Sequence, residues 1–214
     1  MGRAVFFLLV GLGMALMPGF AGPGHASDMT PVVAEIPAVE DGLYHVDGLR
    51  TQVVFSVSCL NVSRYHGMFS DVSGTLQLDS GHPERSHVTL RLPVQSLTTT
   101  SGSVAEVLSG KDWLDVRKYP NAEFVSTQIV PDGPSQARVA GRLTLHGVTR
   151  PVLLRVHFVG AGTNPLDQAY TVGFEARGTI QRSAFGLRAA LPAVGDDVKL
   201  NLTGVFEKGP SETE

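Results

Sequence analysis

The amino-acid sequence predicts an all-β protein, a single eight-stranded antiparallel barrel with a short helical insertion near residues 103–116. Apolar and polar residues alternate repeatedly between Val53 and Phe206, and this period of two gives each strand one buried side. Turn-rich stretches such as 131–134 and 160–165 separate the runs. Eight antiparallel strands close into a barrel whose interior is filled by side chains or holds one small ligand.

The predicted elements follow one another along the chain. Stronger alternation covers 72–79, 87–94, 170–180 and 198–206, and weaker alternation covers 52–59, 122–130, 138–145 and 152–159. From 103 to 116 the apolar residues fall at helical spacing, with Gly110 as a break and Tyr119-Pro120 as the stop. We expect this segment to cross or plug one barrel end, with Trp113 as its packing anchor or as a ring that stacks on a ligand.

The first 26 residues predict a cleaved secretory signal. Arg3 precedes a largely apolar run, and residues 24–26 supply the small side chains that a signal peptidase reads; cleavage after Ala21 is the alternative. The run is short for a bilayer span and no stop-transfer pattern follows, so no transmembrane segment is expected after cleavage. A flexible leader at 27–42 is expected before the first strand at Leu43, then a barrel domain at 43–208 and a disordered tail at 209–214.

Composition excludes several classes of protein. A formal net charge of −3 over 214 residues, with no run of Lys or Arg, gives no electrostatic reason to expect nucleic acid as a partner. The only cysteine, Cys59, permits no internal disulfide. Aromatic residues make up 7% of the chain, too few for the two girdles of an outer-membrane barrel, so a soluble barrel is favoured. Whether two barrels pair into a homodimer stays open.

No set of residues in the sequence reads as catalytic. The chain has no Gly-x-Ser-x-Gly and no His-Glu-x-x-His, and its histidines are scattered singly, so we expect no metal site and no cofactor. Cys59 shares the apolar phase of Val57, which favours a small buried hydrophobe over a nucleophile. His146 stands out because it lies in a tight Leu-His-Gly corner. Arg182 is either a site for an anionic head group or a solvated loop arginine.

The apolar phase is expected to face the barrel interior and to line a ligand site. Gly74, Gly141, Gly178 and Gly204 share that phase, either to relieve strand coiling or because missing side chains leave a tube. The candidate ligand-binding residues are Phe55, Val57, Cys59, Phe69, Leu76, Leu90, Trp113, Phe124, Leu143, Leu145, Val156, Phe174 and Phe185. The head-group candidates are Arg182, Glu106 and His146.

Several motifs in this chain resemble those of the YceI-like family. In order they are Tyr44-His45-Val46-Asp47, Val54-Phe55-Ser56-Val57, Gly67-Met68-Phe69, Gly74, Lys118-Tyr119-Pro120, Phe124, the block 141–152 and Arg182-Ser183-Ala184-Phe185-Gly186. The stretch from Leu143 to Val152 is the most specific of them. The resemblance covers residues from about 43 to 208.

The resemblance implies a bacterial periplasmic protein with an extended lipocalin-like barrel. It also implies an elongated apolar tunnel for polyisoprenoid chains, including isoprenoid quinones. Two departures bear on the head-group end of that tunnel. Cys59 stands where family members often have a histidine, and 104–108 reads Val-Ala-Glu-Val-Leu where they commonly carry Arg-Asp-x-His-Leu. The tail site should persist, and ligands without a charged head group are expected to bind at least as well as charged ones.

Three functions remain in competition on the sequence alone. The leading hypothesis is a non-catalytic carrier or sequestering protein for a long apolar isoprenoid lipid, held by desolvation. The second is an enzyme acting on such a lipid, with Cys59, His146 or Glu106 as its only acid–base or nucleophilic groups. The third is an interaction module whose filled barrel displays loops to a protein partner.

Overall fold

The computed structural model describes residues 39–209 of the chain. Within that range the chain forms eleven strands, one α-helix and three short 3-10 helices at Pro83–Arg85, Val94–Ser96 and Arg182–Phe185. The strands are β1 (Gly42–Val46), β2 (Gln52–Cys59), β3 (Ser63–Phe69), β4 (Ser73–Leu78), β5 (His87–Pro93), β6 (Thr98–Thr99), β7 (Asn121–Pro131), β8 (Gln136–Leu145), β9 (Val148–Thr163), β10 (Tyr170–Gln181) and β11 (Val194–Lys208). The helix, α1, spans Gly102–Ser109.

All neighbouring strands pair antiparallel, and eight of those in residues 39–209 close into a ring. The ring runs β1, β4, β5, β7, β8, β9, β10 and β11, and β11 returns to β1 through the pairs from Val46↔Phe206 to Tyr44↔Lys208. The predicted all-β barrel of eight antiparallel strands with one short helix is therefore confirmed.

The long strand β11 has two neighbours on the same edge. Its last residues pair with β1, whereas Val194 to Thr203 pair with β2, and β3 and β6 continue the sheet beyond β2. The ring thus includes β1 and excludes β2, although the alternation of residues 52–59 suggested a ring member. Three strands, β1, β3 and β6, add to the eight that the alternation predicted, and the start of β1 near Leu43 was expected.

The helical insertion is shorter than the sequence indicated. The helix α1 ends at Ser109, and Gly110 donates its backbone N–H to the carbonyl of Val107 at 3.1 Å, so Gly110 is the break that the pattern predicted. The rest of the predicted segment, residues 111–116, forms turns. Asp115, with a φ of 43°, donates its backbone N–H to the carbonyl of Gly110 at 2.9 Å.

One end of the barrel is filled by side chains that we call the closed-end cluster: Tyr44, Leu76, Val172 and Phe206. All four are buried, and Phe174 packs edge-on against Phe206 with ring centroids 6.0 Å apart. The Tyr44 hydroxyl donates to the carbonyl of Glu40 at 2.5 Å, and burial raises the pKa of Tyr44 to about 12. Apolar packing with a satisfied hydroxyl therefore closes this end.

A second cluster surrounds the middle of the barrel and its other end. It contains Phe124, Ile129, Val139, Val152, Leu154, Ile180 and Phe185. The predicted signal, most of the leader (residues 27–38) and nearly all of the tail (residues 210–214) lie outside the described residues. None of the helices in residues 39–209 is long and apolar enough to cross a membrane.

Candidate functional site

An apolar cavity of about 350 Å³ lies inside the barrel, on the side away from the closed-end cluster. Inward-facing strand residues form most of its wall. Val104, Val107 and Leu108 of α1, together with Trp113 from the following turns, complete the wall at the other end. The insertion therefore lies at one end of the barrel, as the sequence analysis expected, and contributes to the cavity surface.

The structure brings most of the predicted ligand-binding residues together in this wall. They are Phe55, Val57, Cys59, Phe69, Leu90, Trp113, Phe124, Leu143 and Leu145, and the head-group candidate Arg182 joins them. Leu90 also packs against the closed-end cluster, which places the inner end of the cavity beside that cluster. The Cys59 side chain is half-buried and lies in the wall rather than deep in the core.

The remaining predicted residues lie outside the cavity wall. Leu76 belongs to the closed-end cluster and Phe174 packs against it, because these inward positions are at the filled level of the barrel. Val156 and Phe185 pack in the second cluster, where Phe185 is 2% exposed. Glu106 lies on the exposed side of α1.

His146 belongs to a packed corner outside the cavity wall. It adopts a φ of 53° in the turn between β8 and β9, and its ring lies 4.4 Å from that of Tyr119, centroid to centroid. Its Nδ1 lies 3.3 Å from the carbonyl oxygen of Phe185. Gly147 has a φ of 73°, and a Cβ there would come within 2.6 Å of the Tyr119 ring. Motifs that carry the family resemblance thus meet in a corner that joins three segments of chain.

Arg182 is a buried anchor, 5% exposed, rather than a solvated loop arginine. Its guanidinium donates from Nε, Nη1 and Nη2 to the carbonyls of Gly195, Leu187 and Val194, each at 2.8 Å. The guanidinium carbon lies 5.4 Å from the centre of the Trp113 ring, in cation–π geometry. Three of the five N–H groups of Arg182 thus hold the loop at the β11 end of the cavity.

Burial lowers the pKa of Arg182, and the nearby Asp196 carboxylate opposes that shift. Asp196 in turn accepts hydrogen bonds from the Ser183 hydroxyl at 2.7 Å and from the Ser183 backbone N–H at 2.8 Å. These two bonds hold the pKa of Asp196 below its usual range. The polar groups at this end of the barrel are therefore mainly engaged with one another.

Aromatic rings occupy the space above two inward glycines. A Cβ on Gly67 would come within 2.4 Å of the Phe55 ring, and one on Gly141 within 2.3 Å of the Phe124 ring. Both rings also line the cavity. The inward glycines therefore make room for flat-lying rings, and their missing side chains do not themselves form the tube.

The sequence analysis did not place several wall residues in the site. Val198, Leu200 and Leu202 of β11 lie in the wall, and their alternation was the available signal. Tyr65 and Leu187 also line the cavity, but no regular pattern surrounds them. The Tyr65 hydroxyl is the one buried side-chain polar atom in the described part of the chain that lacks a hydrogen-bond partner.

The arrangement of the wall suits retention of an apolar molecule. Among residues 39–209 no group of three or more His, Cys, Asp or Glu side chains could hold a metal ion. Of the three groups named for an enzyme, only Cys59 lies in the cavity wall. An apolar cavity with few polar groups binds by burying hydrocarbon surface.

Comparison with known proteins identifies one domain family and several related bacterial proteins. A model of the YceI-like domain matches residues 44–206. The chain is 37% identical over 163 residues to a UPF0312 protein of Pseudomonas savastanoi pv. phaseolicola, covering 76% of this chain and 84% of that protein. It is 34% identical over 168 residues to a UPF0312 protein of Pseudomonas putida strain F1, covering 77% of this chain and 87% of that protein.

Two solved structures share the fold. Burkholderia cenocepacia BcnA superposes with a TM-score of 0.67 at 27% identity, covering 75% of this chain and 98% of BcnA. A polyisoprenoid binding domain from Saccharophagus degradans superposes with a TM-score of 0.56 at 14% identity, covering 79% of this chain and all of that domain. At 14% identity the second likeness shows the fold alone.

Proposed function

Because the chain belongs to the YceI-like family, we propose that it is a non-catalytic carrier or sequestering protein for a long apolar isoprenoid lipid, a polyprenyl chain or an isoprenoid quinone. The observation that carries the proposal is the cavity of about 350 Å³, whose wall consists almost entirely of aliphatic and aromatic side chains. The description of the Saccharophagus degradans domain as polyisoprenoid-binding supports this ligand class.

The proposed mechanism is desolvation. Each buried methylene contributes about 0.8 kcal/mol, so a few isoprene units in the cavity supply useful affinity without a strong polar contact. The closed-end cluster limits how far the chain enters, and the rings of Phe55 and Phe124 set the width of the cavity. Selectivity on this proposal comes from the length and bore of the cavity.

We also propose that the protein acts in the periplasm after removal of its first 26 residues. Arg3, the apolar run and the small residues at 24–26 stand in the order of a secretory signal. The intact mass of the protein recovered from the periplasm of an expressing bacterium tests this. A mass that begins at Ser27 is expected, and recovered protein that still begins at Met1 would contradict it.

Native mass spectrometry of the purified full chain, followed by lipid extraction, tests the carrier function. We expect a bound isoprenoid lipid in the wild type. Leu143→Trp adds a large ring to the cavity wall and should abolish the bound lipid. Leu153→Trp makes the same change at an exposed position and should retain it. If neither extraction nor an added polyprenyl probe yields a complex, the carrier proposal fails and an interaction module gains support.

A further inference from the structure

The Tyr65 side chain combines two properties that no other described side chain shares. Its ring lies in the cavity wall, and its hydroxyl oxygen is buried without a hydrogen-bond partner among residues 39–209. Buried hydroxyl groups in native proteins almost always have a partner, because burying one without a hydrogen bond costs stability. An unpaired hydroxyl in the wall of a cavity therefore needs an explanation.

At the level of Tyr65, the paired positions on the next three strands of the sheet carry no polar side chain. Across the sheet Tyr65 faces Val57 of β2, Val57 faces Val198 of β11, and Val198 faces Ile180 of β10. All three residues are aliphatic and line the cavity, and the polar wall residues Cys59, Glu123 and Arg182 form no hydrogen bond with the Tyr65 hydroxyl. A trapped water molecule would need two to four polar partners, and these residues provide none through their side chains. The remaining source of a partner is the molecule that fills the cavity.

Arg182 bears on whether the partner can carry a negative charge. It lies two residues beyond Ile180, at the same end of the cavity. Three of its five N–H groups are donated to backbone carbonyls, its face lies on the Trp113 ring, and the nearby Asp196 carboxylate offsets its positive charge. A single hydroxyl cannot compensate for the desolvation of a phosphate, whereas it forms a full hydrogen bond with one uncharged oxygen.

We infer that Tyr65 is a specificity-determining residue whose hydroxyl forms a hydrogen bond with one uncharged oxygen, a hydroxyl or carbonyl, of the bound lipid. The inference rests on the proposed carrier function and deepens it. It assigns the ligand a neutral polar end, located at the β3 side of the cavity beside Val57. A pure hydrocarbon would leave the hydroxyl unpaired, and a phosphate ester would bring a charge that this end does not neutralise.

The test compares three probes with isoprenoid chains of the same length on the full chain freed of lipid: a hydrocarbon, a polyprenol and a polyprenyl phosphate. The wild type should bind the polyprenol about tenfold more tightly than the hydrocarbon. Tyr65→Phe removes only the unpaired oxygen, so it should bind the two probes equally, with unchanged hydrocarbon affinity and no fall in the thermal midpoint of the lipid-free protein. The phosphate should bind the wild type no more tightly than the polyprenol.

Tyr44→Phe is the matched control, because it removes a hydroxyl that already has a partner, the backbone carbonyl of Glu40, away from the cavity. It should lower the thermal midpoint and leave the tenfold preference intact. If Tyr65→Phe keeps that preference, or if the phosphate binds best, the inference is overturned while the carrier function stands. If the wild type binds the hydrocarbon and the polyprenol equally, the role of Tyr65 is refuted and the carrier function again stands. If none of the probes binds the wild type, both proposals fail.

Discussion

Gly67→Ala should reduce lipid binding while leaving the barrel nearly as stable as before. The new Cβ would lie 2.4 Å from the Phe55 ring, and ordinary contacts begin near 3.4 Å, so the ring must retreat by about 1 Å. Phe55 lies directly across from Gly67 and lines the cavity, which gives the ring space to move inward. The nearest backbone atom, the carbonyl oxygen of Thr98 at 3.3 Å, requires only a small adjustment.

The size of the effect follows from the hydrocarbon that the displaced ring excludes. If the ring takes the place of about two methylene groups of ligand, the binding free energy falls by about 1.6 kcal/mol and the affinity by about 15-fold. Overpacking of a solid core would instead cost about 1–3 kcal/mol of stability. The free energy of unfolding should therefore change by less than about 1 kcal/mol while the dissociation constant rises.

Fluorescence titration with a polyprenyl probe and urea unfolding of the lipid-free protein measure both quantities. Gly162→Ala is the matched control, since a Cβ there meets nothing within 4 Å, and it should behave like the wild type. The double variant Gly67→Ala with Phe55→Leu should recover binding, because the smaller side chain restores the space. A strongly destabilised Gly67→Ala protein with wild-type affinity would refute the assignment of Phe55 to the wall of a lipid cavity.

Three further predictions concern the β11 end of the cavity. Arg182→Lys should lower the free energy of unfolding by about 3 kcal/mol in thermal or urea unfolding, because an ammonium group cannot donate to three separate carbonyls. Arg155→Lys, at an exposed position, is the control and should leave stability unchanged. Equal effects of the two substitutions would contradict the anchoring role of Arg182. Hydrogen bonds from Ser183 lower the pKa of Asp196 in the folded protein. The charged Asp196 carboxylate therefore stabilises the fold above about pH 3.8, and this contribution is lost as the pH falls through the lowered pKa. Asp196→Asn should therefore remove the loss of thermal midpoint at acid pH that Asp196 causes. An unchanged dependence of the midpoint on pH would contradict this role of Asp196. Cys59 should react with an apolar thiol reagent more slowly when a polyprenyl probe is bound, as followed by mass spectrometry, and equal rates would place its thiol away from the ligand.

The sequence could predict which faces of the strands point inward, but not which levels of the interior remain open. Phe55 and Phe174 share the inward phase, yet one lines the cavity and the other packs at the closed end. Alternation reports the face of a strand, whereas depth along the barrel depends on the register between strands. Leu76 was assigned to the site for the same reason and belongs to the closed-end cluster.

Residues in irregular or edge segments were harder to predict. The strand β3 reads Ser-Arg-Tyr-His-Gly-Met-Phe, in which Gly67 on the inward phase and Met68 on the outward phase obscure the alternation. Tyr65 therefore gave no signal. Arg182 looked like a loop residue because its three acceptors come from positions 187 to 195, which only the folded chain brings around it.

The closed-end cluster has a consequence for how a lipid would be exchanged. Since Tyr44 and Val172 are fully buried at that end, a lipid held as proposed would have to leave through the other end, and the last unit to enter would be the first to leave. A chain shorter than the cavity would lose contacts, whereas the surplus of a longer one would extend beyond the end at which α1 lies. On the carrier proposal, selection by chain length would therefore be one-sided: short chains would bind weakly, longer chains would be tolerated, and each added unit inside the cavity would slow release.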